Sequence, residues 1–281
     1  MQNYREDSEL MSVLEHASNE DIGLLIDVIT DNGKGRMSLD DEVMASLINV
    51  KNLVPYPLKQ TIAEEIQKFG GNSLVSVFRG GKGVLYKEIV CDVASHVGAN
   101  FNEKQDVAQI ESSILLKIVE KSLDKMSEEE KKDFFDQFGV RYEGVGPVAM
   151  AALIGVIRVS GFAFYKMATI VAQATAKALL GKGLTFVATG GLMRGISVFA
   201  GPVGWAITGI WTAFDLASPA YRITVPCVIQ LAYMRQKALI QECPKCGAVV
   251  AKDMKFCSEC GQRMSASPLL IENKTIDMDT K

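Results

Sequence analysis

Four cysteines, Cys243, Cys246, Cys257 and Cys260, stand as Cys-x2-Cys, a ten-residue spacer and Cys-x2-Cys in a chain of 281 residues. Two such pairs can wrap four thiolates around one tetrahedral ion, for which zinc is the natural occupant. Each pair forms a knuckle, Cys243-Pro-Lys-Cys246-Gly247 and Cys257-Ser-Glu-Cys260-Gly261. The glycine after the second ligand lets the backbone turn back over the metal. Val249, Val250 and Phe256 are the apolar residues at hand to cover so short a fold. A disulfide framework is the poorer reading, because the chain shows no secretory signal pattern and a reducing cytosol keeps thiols free. Cys91 and Cys227 sit among apolar neighbours and read as inert buried thiols.

A four-thiolate site leaves no position open for water or substrate, so one structural zinc ion would hold a fold together and not catalyse. From 243 to 264 the charged residues are Lys245, Lys252, Lys255 and Arg263 against Asp253 and Glu259. That surplus of two cancels the charge of a zinc ion with four thiolates, and nucleic acid is accordingly not expected as a partner. The stretch resembles the zinc ribbons appended to many bacterial proteins.

What carries this ribbon is divided by charge. Residues 1–143 hold 16 basic and 26 acidic residues, net −10, whereas 144–242 hold 8 basic and 2 acidic ones, net +6. The expected organisation is an acidic helical domain at 1–143, a cationic Gly/Ala-rich hydrophobic helical domain at 144–241, the ribbon at 242–264 and a disordered tail at 265–281. The expected fold class is mainly α, multi-helix domains followed by a small zinc ribbon with short β-hairpins.

The acidic part reads as amphipathic helices. Leu10, Val13 and Leu14, then Ile22, Leu25, Ile26 and Ile29, recur at three- and four-residue spacings, with Ser18 or Asn19 as an N-cap between them. The turn at 31–38 is not an EF-hand, since Gly33 stands where the third ligand belongs. Ser127 and Glu130 form a capping box for a helix closing at Gly139. Between helices, Arg79, Gly80, Gly81, Lys82 and Gly83 suggest a phosphate loop, but Ser76 replaces the first glycine of that motif and Gly83 its Ser or Thr. What remains is a tight connection, or a basic turn able to cradle an anion on its backbone N–H groups.

The cationic part holds half of the chain's 24 glycines and, from 195 to 214, 20 consecutive uncharged residues. That meets the length of a membrane span, yet Gly201, Pro202 and Gly204 interrupt it. Two readings follow: a soluble core of tightly packed helices, or a membrane-active hairpin drawn by its positive charge to anionic lipid.

Three stretches, 4–10, 69–94 and 201–235, resemble the bacterial YaaW family, and the likeness covers most of 4–235. The resemblance places the chain near the ubiquinol–cytochrome c chaperones. It implies a helical fold and chaperone-like work, with the ribbon as an addition. It supplies no catalytic residues. An enzyme gains little from the residues themselves: His16 and His96 are the only histidines, and His96 stands five residues after Cys91, off the helix-face spacing. No Gly-x-Ser-x-Gly, His-Glu-x-x-His or dinucleotide fingerprint occurs. The expectation is a non-catalytic adaptor or chaperone-like factor in the cytoplasm, acting on a protein partner or at an anionic membrane surface, peripheral or integral at the inner membrane. The competing readings are a membrane-perturbing protein restrained by its acidic half, and an enzyme.

Overall fold

The computed structural model describes residues 5–35, 39–49, 51, 54–71, 83–144, 147–181, 199, 201–209 and 220–264. Arg79, Gly80, Gly81 and Lys82 of the glycine turn, and the tail at 265–281, lie outside the described residues. Of the uncharged stretch at 195–214, only 199 and 201–209 are described.

The fold is mainly helical. The acidic part supplies α1 (Ser8–His16), α2 (Asn19–Thr30), α3 (Asp41–Asn49), α4 (Tyr56–Gly71), α5 (Tyr86–Val97), α6 (Val107–Leu123) and α7 (Glu128–Gln137). The cationic part supplies α8 (Pro147–Val159), α9 (Gly161–Leu180), helical residues 201–209 (α10) and α11 (Tyr221–Lys237). Local chemistry sets the boundaries. Asp7, Ser18, Asp106 and Ser160 each cap a helix by accepting a backbone N–H, which satisfies one of the donors a helix start leaves orphaned. Ser127 and Glu130 form the reciprocal capping box of α7. α2 ends at Asp31, which is left-handed with φ 52°, and the chain turns through Asn32, Gly33 and Gly35, also at positive φ. Pro202 lies within the helical residues 201–209.

One hydrophobic cluster runs from Leu10 in α1 to Met234 in α11, across the change of charge near 143. Its axis is α11, in which every residue from Ile223 to Met234 is buried, Pro226 included. α9 is its main neighbour, and α1, α2, α4, α5 and α6 pack around it. A helix that is apolar all round needs such a jacket, and the acidic helices provide it. α10 approaches α9 closely: a Cβ placed on Gly204 would stand 3.8 Å from the Ala178 Cβ.

Ionic contacts join the two compositional parts at the last turns of α11. Arg235 donates to both oxygens of Glu111 at 3.0 and 3.4 Å and to Glu9 at 3.4 Å, and Lys237 reaches Asp21 at 2.7 Å. At the opposite end, Tyr221 stacks on His96 with ring centroids 3.6 Å apart, and its hydroxyl donates to Asp92 at 3.4 Å.

Candidate metal centre

Two residues after the last turns of α11 the chain enters β1 (Ile240–Glu242), which pairs antiparallel with β2 (Val249–Ala251) in the register Ile240 to Ala251, Gln241 to Val250 and Glu242 to Val249. The first knuckle is the connection between these strands. The second repeats it with a single bridge, Phe256 to Arg263. The hydrogen bonds match position by position. Cys243 N–H donates to Ala248 O at 2.8 Å and Cys257 N–H to Gln262 O at 2.8 Å; Gly247 N–H donates to Cys243 O at 2.8 Å and Gly261 N–H to Cys257 O at 3.0 Å. Gly247 and Gly261 take φ of 70° and 71°, which explains a glycine at both places.

The two knuckles bring together the sulfurs of Cys243, Cys246, Cys257 and Cys260, all within 4.8 Å of one another. Cys243 Sγ lies 3.6 Å from Cys260 Sγ, and Cys246 Sγ lies 3.6 Å from Cys257 Sγ. A tetrahedron of thiolates about 2.3 Å from a zinc ion has edges of about 3.8 Å, so the four atoms fit that group. Burial opposes ionisation of Cys243, but the backbone N–H groups of Cys246 and Lys245 and the Cys260 and Cys246 thiols outweigh it and hold this thiol down at about 6. The Ala248 N–H favours a thiolate at Cys246, yet the Cys260 thiol, burial and the Cys243 and Cys257 thiols together push it up to about 12. Without metal the set ionises unevenly, and an ion that takes four thiolates must expel protons.

The ribbon has a core of its own, Cys243, Val250, Cys257 and Met264, with Ala248 and Cys260 against it. Val250 covers the site as its sequence position suggests. Val249 does not: it packs with Ile240 against the helical core, and both strands touch α9. Phe256 does not either, being 58% exposed beside Met254 at 44%. Met264 closes the second knuckle instead, its N–H donating to Lys255 O at 2.9 Å. Sequence spacing missed Met264 because a lone methionine after the final ligand carries no periodic signal.

Of the glycine turn, Gly83 alone is described. A Cβ there would lie 2.8 Å from the Gln67 Cβ, and Val84 N–H donates to Gln67 O at 3.3 Å, so this glycine permits a close approach to α4. The buried Gln67 side chain also pairs with the Arg5 backbone, accepting at 3.0 Å and donating at 2.8 Å.

A buried polar network was not legible in the sequence. Asp7 accepts from the N–H groups of Leu10 at 3.1 Å and Tyr86 at 2.6 Å, the Tyr86 hydroxyl donates to Glu111 at 2.8 Å, and Glu111 receives Arg235. Burial pushes the Glu111 carboxyl above its ordinary range despite Arg235 and Tyr86. These groups satisfy one another in the core. Cys227 is buried and Cys91 half-buried, with burial raising the Cys91 thiol. His16 is spent on its own helix, 2.8 Å from Ser12 O.

A zinc-ribbon domain family matches residues 240–264. Over the longer chain, a UPF0174 protein of Helicobacter pylori J99 is 38% identical across 237 residues, covering 83% of this chain and 92% of its own. A second UPF0174 protein of that strain is 39% identical across 188 residues, 65% of this chain and 88% of its own. The UPF0174 protein YaaW of Escherichia coli K12 is 30% identical across 242 residues, 83% of this chain and 96% of its own. No solved structure matches.

Proposed function

The chain belongs to the UPF0174 family, and on that premise we propose that it is a non-catalytic adaptor or chaperone-like factor, acting on a protein partner or at a membrane surface, with zinc in its ribbon. One observation carries the reading. Among the described residues, the only group of three or more His, Cys, Asp or Glu side chains placed to hold a metal is the four-thiolate set. Such a set is closed, so its ion shapes a surface and offers no reactive position. The surface it shapes is suited to contact: Phe256 and Met254 stand exposed on the spacer between the knuckles, while Ile240 and Val249 anchor the ribbon to the helical body. Exposed aromatic and methionine side chains are favoured where proteins meet proteins.

The test reads metal and client protection together. Purified protein should hold one zinc per chain and slow the aggregation of a heat-unfolded client. Cys257→Ser with Cys260→Ser should release the zinc, and Phe256→Ser should keep the zinc but weaken protection. Full zinc in the double cysteine variant would sink the metal assignment, and a wild type that protects no client would sink the chaperone reading. Loss of a cellular phenotype in His16→Gln with His96→Gln, with folding intact, would bring the enzyme class back.

A second reading, a membrane-perturbing protein restrained by its acidic half, has one observation behind it. No single helix among the described residues is long and apolar enough to cross a membrane, but Val148–Val159 and Gly161–Leu180 together reach that length and composition, bent by 114°. Leakage of dye from vesicles would be its signature.

A further inference from the structure

α8 is the apolar helix that the body covers on one side only. Ala149, Leu153 and Ile157, at four-residue spacing, are buried, with α9 as the helix's main neighbour. The opposite face carries Val148, Ala151, Ala152, Gly155 and Val159, all exposed, with Val148 at 83% and Val159 at 87%. A helix apolar on every side is normally enclosed, so this face needs a cover.

Charge selects the cover. No Asp or Glu occurs from 144 to 214, and Arg158 and Lys177 stand exposed on α8 and α9. The nearest preceding acid, Glu143, is held by Arg141 at 3.1 Å. A second copy of the chain packed helix to helix on α8 by two-fold symmetry would set Arg158 against a helix that carries no acid. A lipid surface with anionic headgroups supplies both what the valines lack and what the cations lack.

The same structure decides between lying on a membrane and crossing it. α9, the other half of the bent pair, is locked in the core: Met167, Ala168, Thr169, Ile170, Val171, Ala172 and Ala174 are all buried, with α11 its main neighbour. Turning α8 and α9 into a span would strip the central helix of its jacket, whereas α8 can meet headgroups without moving. We infer that the Val148–Val159 face of α8 is a peripheral docking surface for anionic lipid. The inference rests on the membrane-surface arm of the function proposed above and gives that arm its residues.

Full-length protein is mixed with vesicles of phosphatidylcholine alone, or of equal parts phosphatidylcholine and phosphatidylglycerol, in low and high salt, and sedimented. Binding should appear on the anionic vesicles only and weaken with salt. Val148→Glu with Val159→Glu should lower it about tenfold or more, since both positions trade apolar contact for like-charge repulsion. Because both residues are exposed, helicity and melting temperature should hold, so lost binding is not lost folding. The inference is overturned if the wild type ignores anionic vesicles, if the double variant binds as well as the wild type, if the vesicles leak, or if the protein is a dimer that the double variant splits. The variant with Cys257→Ser and Cys260→Ser should still bind vesicles. A wild type that protects no client yet binds anionic vesicles would therefore sink the chaperone reading and leave α8 standing.

Discussion

α11 and α8 come from the same cationic part of the chain and are both rich in apolar residues, yet α11 is buried over twelve successive positions, Ile223 to Met234, while α8 shows Val148 and Val159 almost wholly to solvent. Hydrophobicity does not explain the difference, since α8 is the more apolar of the two. Their polar attachments do. α11 ends in Arg235 and Lys237, which find Glu111, Glu9 and Asp21 on three acidic helices, and begins at Tyr221, which meets His96 and Asp92. Arg158, the only charged residue of α8, is exposed. In this chain an apolar helix becomes the axis of the fold when its ends carry groups that the surrounding helices can pair.

The largest expected effect comes from cutting one of those attachments. Arg235→Ala strands the buried Glu111 carboxylate and should destabilise the body by about 3–5 kcal/mol, read as a shift in the urea midpoint. Burial already raises the Glu111 pKa, so the loss should shrink as the pH falls and the stranded group takes up a proton. Glu9→Ala, which removes the exposed partner of the same arginine, should cost less than about 1 kcal/mol. Equal losses in the two variants would mean that burial does not set the strength of the attachment.

A smaller effect is expected at the opposite end of α11. Burial holds the His96 pKa below its ordinary value, with Lys121 adding to the shift and Asp92 opposing it. The unfolded chain therefore binds this proton first as the pH falls, and stability is lost from the ordinary histidine range down to the lowered folded value. His96→Gln should flatten that part of the stability curve. An unchanged slope would remove His96 from the acid response. Smallest of all, Val159→Ser on α8 should change stability by no more than about 0.5 kcal/mol, because an exposed side chain has little to lose. A loss as large as a core truncation would show that this face is covered in the free protein.

Much of this was legible at the level of single helices. The spacing of Leu10, Val13 and Leu14 and of Ile22, Leu25, Ile26 and Ile29 marked the buried faces of α1 and α2, and Ser18 and the Ser127–Glu130 pair marked helix starts, because caps and faces are local chemistry. The knuckles were legible for the same reason. Partnerships across the chain were not: nothing near Glu111 points to Arg235, and nothing in Val249 says that it faces α9's side of the ribbon and not the metal. Composition also drew a sharp line near 143, while the hydrophobic cluster continues across it. Charge reports on surfaces, and apolar contact between helices takes no account of it.

The position of α11 along the chain carries a consequence for synthesis. Arg235 pairs with Glu9 across 226 residues, and the helix around which α1, α2, α4, α5 and α6 assemble is the last of the described helices to be made. Contacts so distant in sequence form slowly, since a long loop must close before they give anything back. While the polypeptide is still being translated, the apolar sides of the first helices are therefore without their eventual centre. The net charge of −10 over 1–143 opposes association between such half-made chains.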